Sequence, residues 1–247
     1  MANIIPFRGI FYNQEKIKEL SRVVAPPYDV ISGEAQERYY EMSQYNVIRL
    51  ILGKDFPGDN EINNRYTRAA QFFRRWLDEE ILIRDESACI YLLEQEYELS
   101  FDILDEAKSP RGKGEIIRRR GIIALAQLED FSTGIVRPHE RTMAEPKRDR
   151  LNLLRACKAN FSQIFTIYED PEKRIDRLWE EKRKATPLID LINGENIKHT
   201  LWRINDKKSL NWIMEGMRDK KLFIADGHHR YCLLYTSDAA DEEDSVD

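Results

Sequence analysis

Five consecutive residues, Asp226-Gly227-His228-His229-Arg230, gather much of the reactive side-chain chemistry in this sequence; two of its four histidines stand there side by side. They follow a short apolar run, residues 221–225, and a helix is expected to start at the histidines. The unpaired N–H groups at a helix start attract anions. Gly227 lets backbone and ligand approach closely. Arg230 has the planar fork that grips a phosphate at two points. His228 and His229 add donors, or a group that titrates near neutral pH. Asp226 can take a proton or hold a magnesium ion. Read this way, the motif is a cradle for phosphate or nucleotide. The plainer alternative is a polar helix start with Asp226 as its N-cap.

Two further clusters carry the same kinds of group. In Arg137-Pro138-His139-Glu140-Arg141-Thr142, His139 and Glu140 suit a base and its orienting partner, or a pair of metal ligands. Arg137 and Arg141 suit a phosphate or carboxylate. The alternative is a loop of ion pairs that locks a turn. In Ala25-Pro26-Pro27-Tyr28-Asp29, a rigid loop presents Tyr28 and Asp29 at little entropic cost. Asp29 is a candidate base or magnesium ligand; the alternative is a turn in which it caps backbone. A Walker-type phosphate loop, a Rossmann glycine fingerprint and a His-Glu-x-x-His helix are all absent from the sequence. Spacing alone therefore assigns no metal.

The elements that must position these groups alternate between strand and helix. Residues 3–11, 46–52, 88–99, 115–128, 163–168, 197–204 and 221–225 read as strands. Residues 108–114 form the turn of a hairpin between the third and fourth of these. A short helix is expected from Ser32, its N-cap, to about Ser43. A long one should run over 60–80, with Ile62, Tyr66, Ala69, Ala70, Phe73, Trp76 and Leu77 on its buried face. Others are expected from Pro146 to Lys158, over 171–184, and over 207–218. This mixture predicts an α+β (mixed α/β) fold in a single region, residues 1–231.

Composition narrows the class. The chain is 42% hydrophobic and 34% charged, with no apolar run long enough to span a bilayer and no signal-peptide layout. Cys89, Cys157 and Cys232 lack disulfide or zinc spacing. A cytoplasmic protein that does not engage the membrane is expected. Residues 232–247 carry six acids and no base; without them the net charge moves from −5 to +1. From Cys232 to Glu242 this segment resembles the conceptual translation of a sequencing adapter, which would make it a non-native tail. The alternative is a natural acidic tail. The arginines Arg65, Arg68, Arg74, Arg75 and Arg118 to Arg120 read as solvated faces, so nucleic acid is not an expected partner. His199 alternates with apolar neighbours and reads as packed.

Several uncommon segments occur in order: Ile4-Ile5-Pro6-Phe7-Arg8, residues 25–32, residues 46–50, residues 137–142, Lys158-Ala159-Asn160-Phe161-Ser162 and residues 224–231. Together they resemble the Domain of Unknown Function 1015 family, whose members are longer. The resemblance implies that a C-terminal part is missing here. The Asp226–Arg230 motif is also similar to that of ParB/sulfiredoxin-like proteins, a superfamily that includes free-serine kinases. There the loop binds nucleotide phosphates at a helix N-terminus. In those proteins the motif lies near the start of the domain, whereas here a long stretch precedes it. The base is therefore open between Asp29, Glu140 and a residue outside the chain. These resemblances imply an ATP- or ADP-dependent phosphotransferase using Mg2+ on a small polar metabolite. The alternative is a non-catalytic, nucleotide-responsive module of ParB-like type.

Overall fold

Apolar residues recur along this chain with period two in some stretches and near 3.6 in others, and the backbone follows both. The structure, a computed structural model, describes residues 2–98, 116–138 and 144–234, with the backbone alone for 144–147. Strands β1 (Ile4–Ile5) and β2 (Ile10–Tyr12) precede helices α1 (Gly33–Met42), α2 (Ile48–Ile51) and α3 (Arg65–Asp78). Strands β3 (Leu82–Arg84), β4 (Ile90–Glu98), β5 (Ile116–Ile123), β6 (Leu125–Ala126) and β7 (Val136–Arg137) follow. The rest are α4 (Ala144–Cys157), β8 (Phe165–Ile167), α5 (Arg174–Lys182), β9 (Ile189–Ile192), β10 (Lys198–Ile204), α6 (Lys207–Met217) and β11 (Leu222–Asp226). A last helix occupies residues 228–234. The fold is α+β, as expected.

The largest sheet is antiparallel, in the order β5-β4-β10-β9. Its β4–β5 pairing is the expected hairpin, although the turn over 108–114 lies outside the described residues. Helices α5 and α6 cover one end, where Trp179 meets Trp202 edge to face at 5.4 Å. A three-stranded sheet, β7-β11-β8, carries the Asp226 motif; β7 runs parallel to β11, and β8 antiparallel. A second core surrounds Trp76, which is fully buried on α3. On the same helix the small Ala69 and Ala70 let α4 approach, against Leu153 and Cys157. That packing fixes the position of α4, and hence of Arg150.

Two expectations fail for identifiable reasons. Residues 46–52 form no strand. Buried Asn46 accepts from the Ile48 N–H and donates to the carbonyls of Arg22 and Val24, which starts the short helix α2 in place of a ladder. A short apolar stretch interrupted by Arg49 fits a buried helical turn as well as a strand. The long helix does not begin at 60, and Ile62 is 86% exposed. Asn60 folds the chain into an Asx turn, accepting from the Ile62 and Asn63 amides. Asn64 then caps α3 in a box with Thr67. The segment 3–11 is two strands separated around Pro6, and 115–128 breaks at Ala124. Strands β3, β7 and β9 were not anticipated. The caps at Ser32 on α1 and Asp206 on α6 form as their residue types suggest.

Candidate functional site

Strand β11 bulges between Ile224 and Asp226, and Gly227 follows with φ of +92°, a left-handed conformation that an L side chain resists. The Tyr231 amide donates to the Gly227 carbonyl and opens the 228–234 helix. Arg230 folds back over this turn. A Cβ at position 227 would lie 2.8 Å from its Nη2. That Nη2 donates to the Asp226 carboxylate at 2.6 Å and to the Gln163 carbonyl at 3.1 Å. Arg230 is 9% exposed, and its buried Nε has no hydrogen-bond partner among the described residues. Asp226 itself lies open to solvent. So Asp226 is the counter-ion of Arg230, in addition to ending the strand. Within the motif His228 is buried and His229 half-buried.

A second guanidinium approaches from α4. Arg150 is buried; it donates to Asp149 and, through Nη1, to the Ile51 carbonyl at 2.9 Å. Its flat face lies 3.7 Å from the centre of the Tyr28 ring, a close cation–π contact. Asp149 in turn accepts from Arg65 and from the Tyr66 hydroxyl, each at 2.8 Å, which ties the arrangement to α3. Burial pushes the Tyr28 phenol up from its ordinary value; the positive charges of Arg150 and Arg230 pull it partly back. The 25–32 loop therefore sits within electrostatic range of both arginines. Asp29 is exposed in the turn that follows Pro27.

The two arginines line one cavity of about 30 Å3, with Asn160, Ser162, Leu153 and Phe161 among its walls. Lys158 brings the polar pair there: it ends α4 in the left-handed region (φ +51°) and turns the chain back. Phe161 anchors the segment edge to face on Phe73 of α3, at 5.2 Å. The cavity is small, well below the roughly 300–1,000 Å3 of a typical cofactor pocket. Three of the segments singled out in the sequence thus converge, through Tyr28, through Asn160 with Ser162, and through Arg230.

Other expected residues fall elsewhere or cannot be placed. His139, Glu140 and Arg141 lie outside the described residues. Arg137 is exposed on β7, beside Phe223 of β11, and donates to the Gly134 carbonyl. The parallel pairing sets Val136 and Arg137 against Leu222 and Phe223, so Arg137 lies on the strand next to the one that carries Asp226. His199 is half-buried, with Nδ1 3.2 Å from the Gln95 amide nitrogen; burial, then Arg119, pulls its pKa down. Arg65 and Arg68 are held by Asp149 and Asp59, and Arg120 by Glu94 and Glu180. They are partly buried ion-pair partners, not freely solvated charges. Among the described residues no group of three or more His, Cys, Asp or Glu side chains is placed to hold a metal ion, and no helix is long and apolar enough to cross a membrane.

Sequence reasoning missed Arg150 and Asp149. They sit in a run of charges, Lys147-Arg148-Asp149-Arg150, that carries no motif. The usable signal was positional: Arg150 falls three residues before Leu153, on the buried face of α4.

The fold and this site define an α+β protein with two buried arginines around a small cavity, beside a glycine-initiated strand-to-helix turn. The chain belongs to the family described as Protein of unknown function (DUF1015), whose model matches residues 4–241. No curated protein and no solved structure matches it.

Proposed function

We propose that this chain binds a nucleotide, ATP or ADP with Mg2+, at the Gly227 turn and transfers a phosphoryl group to a small polar metabolite. The observation that carries the reading is the left-handed Gly227 turn at a helix start, with the buried guanidinium of Arg230 folded over it. Buried guanidiniums in a water-poor site stabilise phosphoryl charge better than the same groups in solvent. Arg230 is anchored at Asp226 and Gln163, and its Nε has no partner among the described residues. His229, half-buried at the helix start, lies on the same turn. Bound with the nucleotide, magnesium would neutralise phosphate oxygens; such ions use one or two carboxylates besides the phosphates, and exposed Asp226 fits that need. Asp29 and Glu140 are the candidate bases for the acceptor hydroxyl, with Arg137, His139 and Arg141 as further phosphate contacts.

A second reading, a nucleotide-responsive module without catalysis, is favoured by one observation. Arg230 already has an internal carboxylate partner, which suits a site that switches on ligand exchange. Melting temperatures with ATP, ADP and CTP, with and without Mg2+, test both readings, since a ligand of the native state raises stability by mass action. A nucleotide-specific rise that is lost in Arg230→Ala supports the site. Nucleotide turnover that depends on an added metabolite then selects the kinase; binding without turnover selects the module. No shift with any nucleotide overturns both.

A further inference from the structure

We infer that the cavity between Arg150 and Arg230 is a subsite for one compact anionic group, a carboxylate or an orthophosphate, separate from the position of the nucleotide. This builds on the function proposed above, because it supplies the place where the acceptor metabolite is held. Size is the first argument. About 30 Å3 suits a compact group better than a whole nucleotide. Charge is the second. Both arginines are more than nine-tenths buried, and a buried cation is costly to leave under-satisfied. Arg150 has its edges occupied by Asp149 and the Ile51 carbonyl. Arg230 does not: its Nε is buried without a partner among the described residues. The walls are the third argument. Asn160 and Ser162 bring a side-chain amide and a hydroxyl to the same space, while Leu153, Leu154, Ala159 and Phe161, with Leu233 and Leu234 of the last helix, make the rest of it apolar. A ligand that suits it has a small anionic head on a short apolar or lightly polar body.

The test uses acetate and inorganic phosphate as probes on the full chain, with sodium chloride at matched ionic strength as the control. Dissociation constants are read by calorimetry and by the rise in melting temperature. Ser162→Val and Ala159→Leu fill the cavity without touching either arginine, and circular dichroism checks that each is folded. Acetate or phosphate should bind wild type where chloride does not, and a folded, filled variant should bind that probe at least tenfold more weakly. Which anion binds identifies the head group. Equal effects of chloride, or unaltered binding in both folded variants, would overturn the subsite. ATP is titrated into the same proteins. If ATP binds while neither small anion does, the subsite fails and the proposed nucleotide function stands. If a small anion binds and ATP does not, the reverse holds.

Discussion

Two clusters in this protein use the same parts to different ends. In one, Asp85 receives Arg203 and the Tyr91 hydroxyl, while Tyr91 accepts from the Gly9 amide at 2.8 Å and Arg8 donates to the Asp85 carbonyl. Asp85 and Tyr91 are buried, and the cluster ties the N-terminal strands to β4 and β10. In the other, Arg150, Arg230, Tyr28, Asp149 and Asp226 repeat the recipe of arginine, carboxylate and tyrosine. Here a cavity separates the arginines, one carboxylate faces solvent, and one guanidinium nitrogen stays unpartnered among the described residues. A closed network stabilises; an open one keeps interaction capacity for something else. What distinguishes them is satisfaction of hydrogen bonds, not charge or residue type.

Breaking the closed cluster should cost the most. Asp85→Ala leaves Arg203 and Tyr91 without their shared acceptor and should destabilise the protein by about 3 kcal/mol in urea denaturation, with no effect on anion binding. A loss under ~1 kcal/mol would remove the contrast. Gly227→Ala comes next, at roughly 1–2 kcal/mol, because the left-handed φ is strained for alanine and the new methyl meets Arg230. It should also weaken phosphate or acetate binding, which Asp85→Ala should not.

A third, exposed carboxylate calibrates the pair. Burial alone would raise the pKa of Asp206, but hydrogen bonds from Lys182 and Ser209 outweigh it and hold the pKa at about 2. A carboxylate depressed on folding contributes stability above its unfolded pKa, near 3.9, and loses that contribution as pH falls through the folded value. Asp206→Ala should therefore cost about 1 kcal/mol at neutral pH, mostly as a lost helix cap, with the difference from wild type shrinking as the pH approaches 2. Asp226→Asn should cost no more than about 1 kcal/mol: Arg230 is buried, but the amide oxygen and the Gln163 carbonyl can still accept from it, and the charge removed lies on an exposed side chain. Freed of its counter-ion, Arg230 should then bind phosphate more tightly than in wild type. Unchanged or weaker binding would mean that Asp226 does not compete with a ligand.

The sequence made the turn at Gly227 legible, because strand, glycine and histidine-arginine run follow one another within the chain. It also showed the cap at Ser32, whose partner is local. The partnership of Arg150 with Tyr28 and Arg230 was not legible, since it depends on α4 packing against Ala69 and Ala70 and on the left-handed residue Lys158. Neither announces itself in residue spacing. The Asp85 cluster was invisible for the same reason: its members come from β4, β10, the N-terminal strands and the turn after β3. The misread segment at 46–52 shows the limit of periodicity, because the buried side chain of Asn46, not the apolar run beside it, decides the local backbone.

The parallel pairing of β7 with β11 joins strands that lie far apart along the chain. Tyr28 leaves the ribosome early and Arg150 well after it, while Arg230 is made roughly two hundred residues after Tyr28. Helices α1 and α3 can form as soon as they emerge. The cavity cannot close until β11 arrives and docks between β7 and β8. During synthesis the protein therefore carries an unfilled slot in its three-stranded sheet, and its cationic site matures only after Arg230 has emerged.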